Sequence, residues 1–202
     1  GICSSQSLDS PLIEKLKRDV IYLSSDELEG RNTGTESEKI AADYIIKKLK
    51  FYKAKPKGTK GFFQEFTAKI NANPHTNTGA KEITGQNVVG YLDNQSENTV
   101  IIGAHYDHIG YGEYGSRYFG DPDVHNGADD NASGVSVMIQ LADQLKLIKD
   151  YNFLFIAFSG EEYGLYGSSF YAKNPTINLD NVSYMINFDM IGRYVDLSLI
   201  HI

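Results

Sequence analysis

Cysteine is nearly absent from this 202-residue chain: one residue, Cys3, serves the whole length. That excludes an internal disulfide framework and every zinc site built on thiolates. No apolar run approaches the roughly 20 residues that span a bilayer. Lys and Arg are scattered rather than gathered into a patch or stripe, and the formal net charge is -7, so a nucleic-acid partner is not expected. Internal repeats and low-complexity tracts are also missing. What remains is ordinary globular composition, with 41% hydrophobic and 22% charged residues. A soluble chain folding as one domain over residues 1–202 is the expectation.

The first residue is Gly1 rather than Met, as after removal of an export signal or in a fragment; the former implies a periplasmic, cell-surface or secreted location. Lipidation at Cys3 would want a small residue before it, and Ile2 is not one. Residues 1–9 read as a plain disordered tail. Ser10 and Pro11 then open a helical pattern (Leu12, Ile13, Leu16, Val20, Leu23) as N-cap and first-turn proline. Thr35 and Glu38 form a capping-box pattern ahead of Ile40, Ala41, Tyr44, Ile45 and Leu49. The stretch between, Glu27 to Thr35, is a loop rich in glycine and charge.

From residue 62 the period changes. Phe62, Phe66, Ala68 and Ile70 alternate as in a strand, and the polar stretch Asn71 to Thr84 reads as a loop or excursion. Short apolar runs follow at 87–92, 99–104, 152–158, 182–188 and 195–200, with helices expected at 132–147 and 164–172. Near-continuous apolar strands separated by helices predict an α/β three-layer sandwich, a mostly parallel mixed sheet covered on both faces.

Three polar motifs end core strands: His105-Tyr106-Asp107-His108, Ser159-Gly160-Glu161-Glu162 and Asn187-Phe188-Asp189. Open α/β sheets build their sites at such ends. A fourth, Asn126 to Asn131, precedes a helix. Each has a mundane reading: a surface histidine, a capped helix, a solvated acidic turn. Together they supply imidazole and carboxylate donors that suit Zn²⁺, with Mn²⁺ or Co²⁺ as lesser fits. Two metals would need a bridging carboxylate, and another carboxylate could take a proton from water. The i, i+2 spacing of His105 and Asp107 puts both on one face of an extended segment, so Asp107 could fix the imidazole tautomer.

In order, the motifs VIIGAHYDHIG, NGADDNASG, FIAFSGEEYGLYGS and MINFDMIGR resemble the co-catalytic dizinc aminopeptidases, a family that includes glutamate carboxypeptidase and the transferrin-receptor ectodomain. The likeness runs from about Leu23 to Arg193. It implies that His105 and Asp189 hold one zinc, Asp129 bridges two, and Glu162 binds the second. It further implies Glu161 as general base, Asp107 as the partner of His105, and a cis peptide at Asp129–Asp130. The implied substrate is a peptide with a free amino terminus.

The family's final histidine ligand lies many tens of residues past NFDMIG. His201 is a poor substitute, His75 and His125 are misplaced, and His108 reads as a loop or substrate-side residue. This leaves three ligands for the first zinc and two for the second, and hence impaired activity for a chain cut short at the C-terminus. The segment 195–202 would present an open strand edge and invite self-association. Residues 111–119, rich in tyrosine and glycine, would rim the pocket. The alternatives are a single-zinc glutaminyl cyclase, a carboxypeptidase (for which no basic pocket is evident) and a metal-free scaffold.

Overall fold

A computed structural model describes residues 10–71, 80–112, 114–118 and 120–193. Helix α1 (Ser10–Leu23) includes Ser10, so the proline sits one position deeper than an N-cap reading places it. Helix α2 (Glu36–Phe51) starts at the capping threonine, whose hydroxyl accepts from the Glu38 amide. A short strand β1 (Lys55–Pro56) leads into the long hairpin β2 (Phe63–Asn71) and β3 (Ala80–Leu92). Strand β4 (Thr99–His105) precedes α3 (Gly134–Leu145); then come β5 (Asn152–Phe158), α4 (Tyr166–Lys173) and β6 (Val182–Asn187).

The sheet is mixed, in the order β1-β3-β5-β4-β6, with β2 paired to β3. Parallel pairing is confined to β5-β4-β6; β3 runs antiparallel to β1, β2 and β5. Every residue of β4 and β5 is buried, which is why both read as unbroken apolar runs. One face carries Val100, Ile102, Ala104, Phe153, Phe155 and Ala157 against α2 and α3. The other carries Ile101, Leu154, Ile156 and Phe158 against Tyr171 of α4. Helices therefore cover both faces, as the apolar runs imply. No helix among the described residues is long and apolar enough to cross a membrane.

Two expectations are corrected. Residues 80–84, read as part of a polar loop, extend β3, and residue pairs from Phe63↔Val88 to Asn71↔Ala80 make one ladder. Ile83 is buried between exposed neighbours, a pattern too polar to register as a strand. Residues 184–186, read as a core strand, lie in an edge strand paired only with β4 among the described residues: Tyr184, Met185 and Ile186 stay 41–49% exposed. The strand expected at 195–200, its proposed self-association, His75, His201 and Cys3 lie outside the described residues.

Two buried charges tie the helices to one another and a loop to the sheet. The Asp19 carboxylate accepts from Tyr44 Oη (2.6 Å) and Lys48 Nζ (2.7 Å) on α2 and from Gln140 Nε2 (2.5 Å) on α3, so three helices share one neutralised acid. Arg31 is 1% exposed and lies in the loop after α1. Its guanidinium donates to the carbonyls of Leu23, Tyr106 (2.8 Å), Asn126 (2.8 Å) and Gly127 (3.0 Å). One side chain thereby pins the loop at 126–127 to the end of β4.

Candidate metal centre

His105 is the last residue of β4 and is 3% exposed. Its Nε2 lies 3.1 Å from Asp130 Oδ1 and 3.5 Å from Asp189 Oδ1. Its Nδ1 faces the next turn of chain, 3.2 Å from the Asp107 carbonyl and 3.6 Å from the Asp107 carboxylate. Burial alone would push this imidazole's pKa down, but contacts with Asp107, Asp130 and Asp189 outweigh that and raise it to about 12. In turn, His105 holds the Asp130 carboxyl below its usual range. A histidine so bound by acids marks a pocket with surplus negative charge, the condition a divalent cation satisfies.

The Asp107 carboxylate, fully buried, does more than face the imidazole. Oδ1 accepts from the amide of Glu161 (3.1 Å), and Oδ2 from the amide of Glu162 (3.3 Å) and the hydroxyl of Thr33 (3.0 Å). It therefore sets where the acidic pair after β5 projects. Glu161 is half-buried; desolvation first, then the charges of Glu162, Asp107 and Asp189, raise its pKa against the opposing pull of His105. Glu162 turns toward His108, whose Nδ1 lies 2.5 Å from Glu162 Oε1.

The fourth motif is offset by one residue from the resemblance-based reading. Asp130, not Asp129, brings a carboxylate to His105 and Asp189. Asp129 points away: its carboxylate accepts from the Gly192 amide (2.8 Å) and pairs with Arg193 (3.3 Å). The cis peptide is likewise Asp130–Asn131, not Asp129–Asp130. The cause is Asn131, which is fully buried. Its Oδ1 accepts from the Gly134 amide (3.1 Å) at the start of α3, while its Nδ2 donates to the carbonyls of His105 (3.3 Å) and Phe188 (3.0 Å). The Asn131 side chain thus satisfies the first amide of α3, and the residue just before it faces the strand ends. An asparagine three residues ahead of Gly134 was the available sequence signal.

Among the described residues, three overlapping groups of donor atoms, those of each group within 4.8 Å of one another, result: His105 with Asp130 and Asp189; His105 with Glu161 and Glu162; His108 with Asp130 and Glu162. Nitrogen and carboxylate oxygen without thiolate is a zinc-type donor set, so the residues present fit that ion. His125 stays outside, engaged by Ser116 Oγ (2.7 Å) and the Asp123 carbonyl (2.9 Å). At the rim, the Tyr114 ring packs 4.8 Å from that of Tyr163, the residue after Glu162.

A further acid lies behind the centre. Glu38, 2% exposed, accepts from the Gly34 amide (2.6 Å) rather than closing a capping box on Thr35, and its other oxygen takes the Ser159 hydroxyl. Burial raises its pKa to about 8. A carboxyl that holds its proton more tightly folded than unfolded contributes stability below its ordinary value of 4.5, and that contribution is lost as pH climbs toward 8. The loss is at most about 1.4 kcal/mol per pH unit. Glu38→Gln should therefore gain on the wild type between pH 5 and 8 in thermal melts. A Tm difference that does not change with pH across that window would contradict it.

Fold and donors together define an α/β domain with a cluster of zinc-type donors at the carboxyl rim of its sheet. The chain belongs to peptidase family M28, whose sequence pattern matches residues 87–202. It is 30% identical over 171 residues to the alkaline phosphatase isozyme conversion protein of Escherichia coli, covering 76% of this chain and 47% of that protein. It is 34% identical over 114 residues to aminopeptidase YwaD of Bacillus subtilis, covering 54% and 22%. Among solved structures, a Zn-dependent exopeptidase from Parabacteroides distasonis superposes with TM-score 0.67 at 22% identity, covering 89% of this chain and 61% of that one. A glutaminyl cyclase from Bacteroides thetaiotaomicron gives 0.66 at 20%, covering 90% and 61%. At those identities the two structures speak for the fold alone. The chain spans less than half the length of these curated relatives.

Proposed function

We propose that this chain carries the metal centre of a zinc-dependent exopeptidase that removes amino-terminal residues from peptides. The observation that carries the reading is the convergence of His105, Asp130, Glu161, Glu162 and Asp189 at one rim of the sheet. In this reading His105, Asp130 and Asp189 hold one zinc, Asp130 is shared with a second, and Glu162 serves the second. Zinc, when held there, polarises the scissile carbonyl and makes water acidic enough to attack near neutral pH.

The protein's own part is positional. Asp107 orients the His105 ring and, through two amides, aims Glu161 and Glu162. Glu161, with its raised affinity for protons, takes one from the attacking water as the new C–O bond forms. It then gives that proton to the departing amine nitrogen as the C–N bond breaks. Membership of an aminopeptidase-containing family supports the choice of terminus.

The shared fold of the glutaminyl cyclase gives a second reading, and product chemistry separates them. The test is incubation of the zinc-loaded chain with free and N-acetylated aminoacyl-p-nitroanilides and with a Gln-initiated peptide. Zinc-dependent release of free amino acid from unblocked substrates alone is the expected result. Release of ammonia from the Gln peptide, with no amino acid, would replace peptidase by cyclase. Equal cleavage of blocked substrates would remove the exopeptidase reading.

A further inference from the structure

We propose that Arg31 is a positioning residue of the metal centre: its guanidinium holds the end of β4 and the loop ahead of Asp130 in register before any cation arrives. The inference rests on the metal-dependent reading above. Nε donates to the Tyr106 carbonyl (2.8 Å), which lies between His105 and Asp107 in the chain. The terminal nitrogens donate to the carbonyls of Asn126 (2.8 Å) and Gly127 (3.0 Å), in the loop that delivers Asp130. The same fork reaches the Leu23 carbonyl at the end of α1, where a helix leaves its last carbonyls without internal partners. Segments far apart in sequence thus converge on one planar group of fixed shape.

The backbone accepts strain to place this side chain. Glu29 (φ 44°), Gly30 (φ 68°) and Arg31 (φ 49°) follow one another in left-handed conformations, and two of them carry side chains. Such backbone persists only where its surroundings over-determine it. Here the carbonyls of the turn lock it: Gly30 accepts from the Gly110 amide and Arg31 from the His108 amide, both at 3.2 Å. Gly30 has no room for a Cβ, which would come within 2.6 Å of the His125 carbonyl oxygen and 2.7 Å of that of Gly110. Two residues past Arg31, the Thr33 hydroxyl donates to Asp107 Oδ2 (3.0 Å). The turn is therefore fastened to the chain on either side of Asp107 and to the loop ahead of Asp130.

Charge and geometry predict opposite outcomes when Arg31 is replaced. Among the described residues the guanidinium forms no ion pair; its hydrogen bonds go to carbonyls, with Asp107, Asp130 and Glu162 near enough to act on its charge. A fixed positive charge beside a cation site repels the cation, so removing charge alone would tighten zinc binding. Removing the donors frees the two loops and loosens zinc binding despite the lost repulsion, by about the 10–100-fold that an outer partner is worth. Lysine keeps the charge but loses the fork, so it separates the two roles.

The experiment titrates the chelator-stripped 202-residue chain with zinc by calorimetry, as wild type, Arg31→Met and Arg31→Lys, and records thermal melts without metal. Both variants are expected to bind zinc about 10–100-fold more weakly at a temperature where each is folded. Tighter binding by Arg31→Met, with Arg31→Lys near wild type, would overturn the proposal and leave Arg31 as a counter-charge. A lower metal-free Tm with unchanged zinc affinity would overturn it and leave a residue of the fold alone. Should neither variant fold, wild type labelled with nitrogen-15 arginine decides. The Arg31 Nε proton is expected to exchange slowly with solvent before zinc is added; protection that arises only with zinc would mean that the metal orders the clamp, and the proposal would fall while the zinc reading stood. No zinc uptake by the wild type would overturn both.

Discussion

Glu161→Gln is expected to lower kcat by about 10²–10⁴ while leaving zinc content unchanged, the range typical of losing a positioned general base. Glutamine keeps the shape of the side chain, and the loop does not depend on its carboxylate. The Glu161 and Glu162 amides are held by Asp107, the Ser159 amide by Asn87 Oδ1 (3.1 Å) and the Ser159 hydroxyl by Glu38. What disappears is the proton acceptor. Half-burial and three neighbouring carboxylates raise its pKa, which improves its match to neutral solution. Among the described residues, Glu161 shares a donor group only with His105 and Glu162, whereas Glu162 also meets His108 and Asp130. That asymmetry supports the proposed base at 161 and the proposed ligand at 162. Metal analysis beside steady-state rates checks the assignment: a variant within threefold of wild-type kcat removes Glu161 from the base role, and one stripped of zinc makes it a ligand.

Much of this was legible in the sequence wherever one physical signal dominated. Strands β4 and β5 are buried on both faces, so continuous apolar runs located them within a residue of their observed ends. The motifs at their carboxyl ends followed from that placement, as did the nearness of Asp107 to His105, but not its hold on the acidic pair. Signals failed where tertiary context decides. The distal half of β3 is polar because only Ile83 and Gly85 turn inward there, and its ladder with β2 supplies what the pattern lacks. Arg31 and Glu38 look like surface charges in a loop and a first helical turn; both are buried because four backbone carbonyls from three segments, or an amide and a hydroxyl, await them. Nothing local announces a partner 75 or 121 residues away. The contact between His108, read as a loop or substrate-side residue, and Glu162 across the rim was illegible for the same reason.

The adjacent aspartates give the sharpest contrast between sequence and coordinates, and a paired experiment separates them. Asp130→Ala should remove the carboxylate shared by both donor groups, so zinc affinity should fall by more than the roughly 10–100-fold that loss of an outer partner costs. Peptide hydrolysis should fall with it. Asp129→Ala should leave zinc uptake unchanged. That side chain holds the Gly192 amide, a long contact from the Ser133 hydroxyl (3.5 Å) and an Arg193 that is 81% exposed, an ion pair of a kind worth about 0–1 kcal/mol. A resemblance that assigns the bridge to the first aspartate predicts the reverse order. Calorimetric zinc titration of the two variants decides between them: retained uptake in Asp130→Ala with loss in Asp129→Ala would mean that Asn131 does not set the register of this turn, and the site built on it would fall.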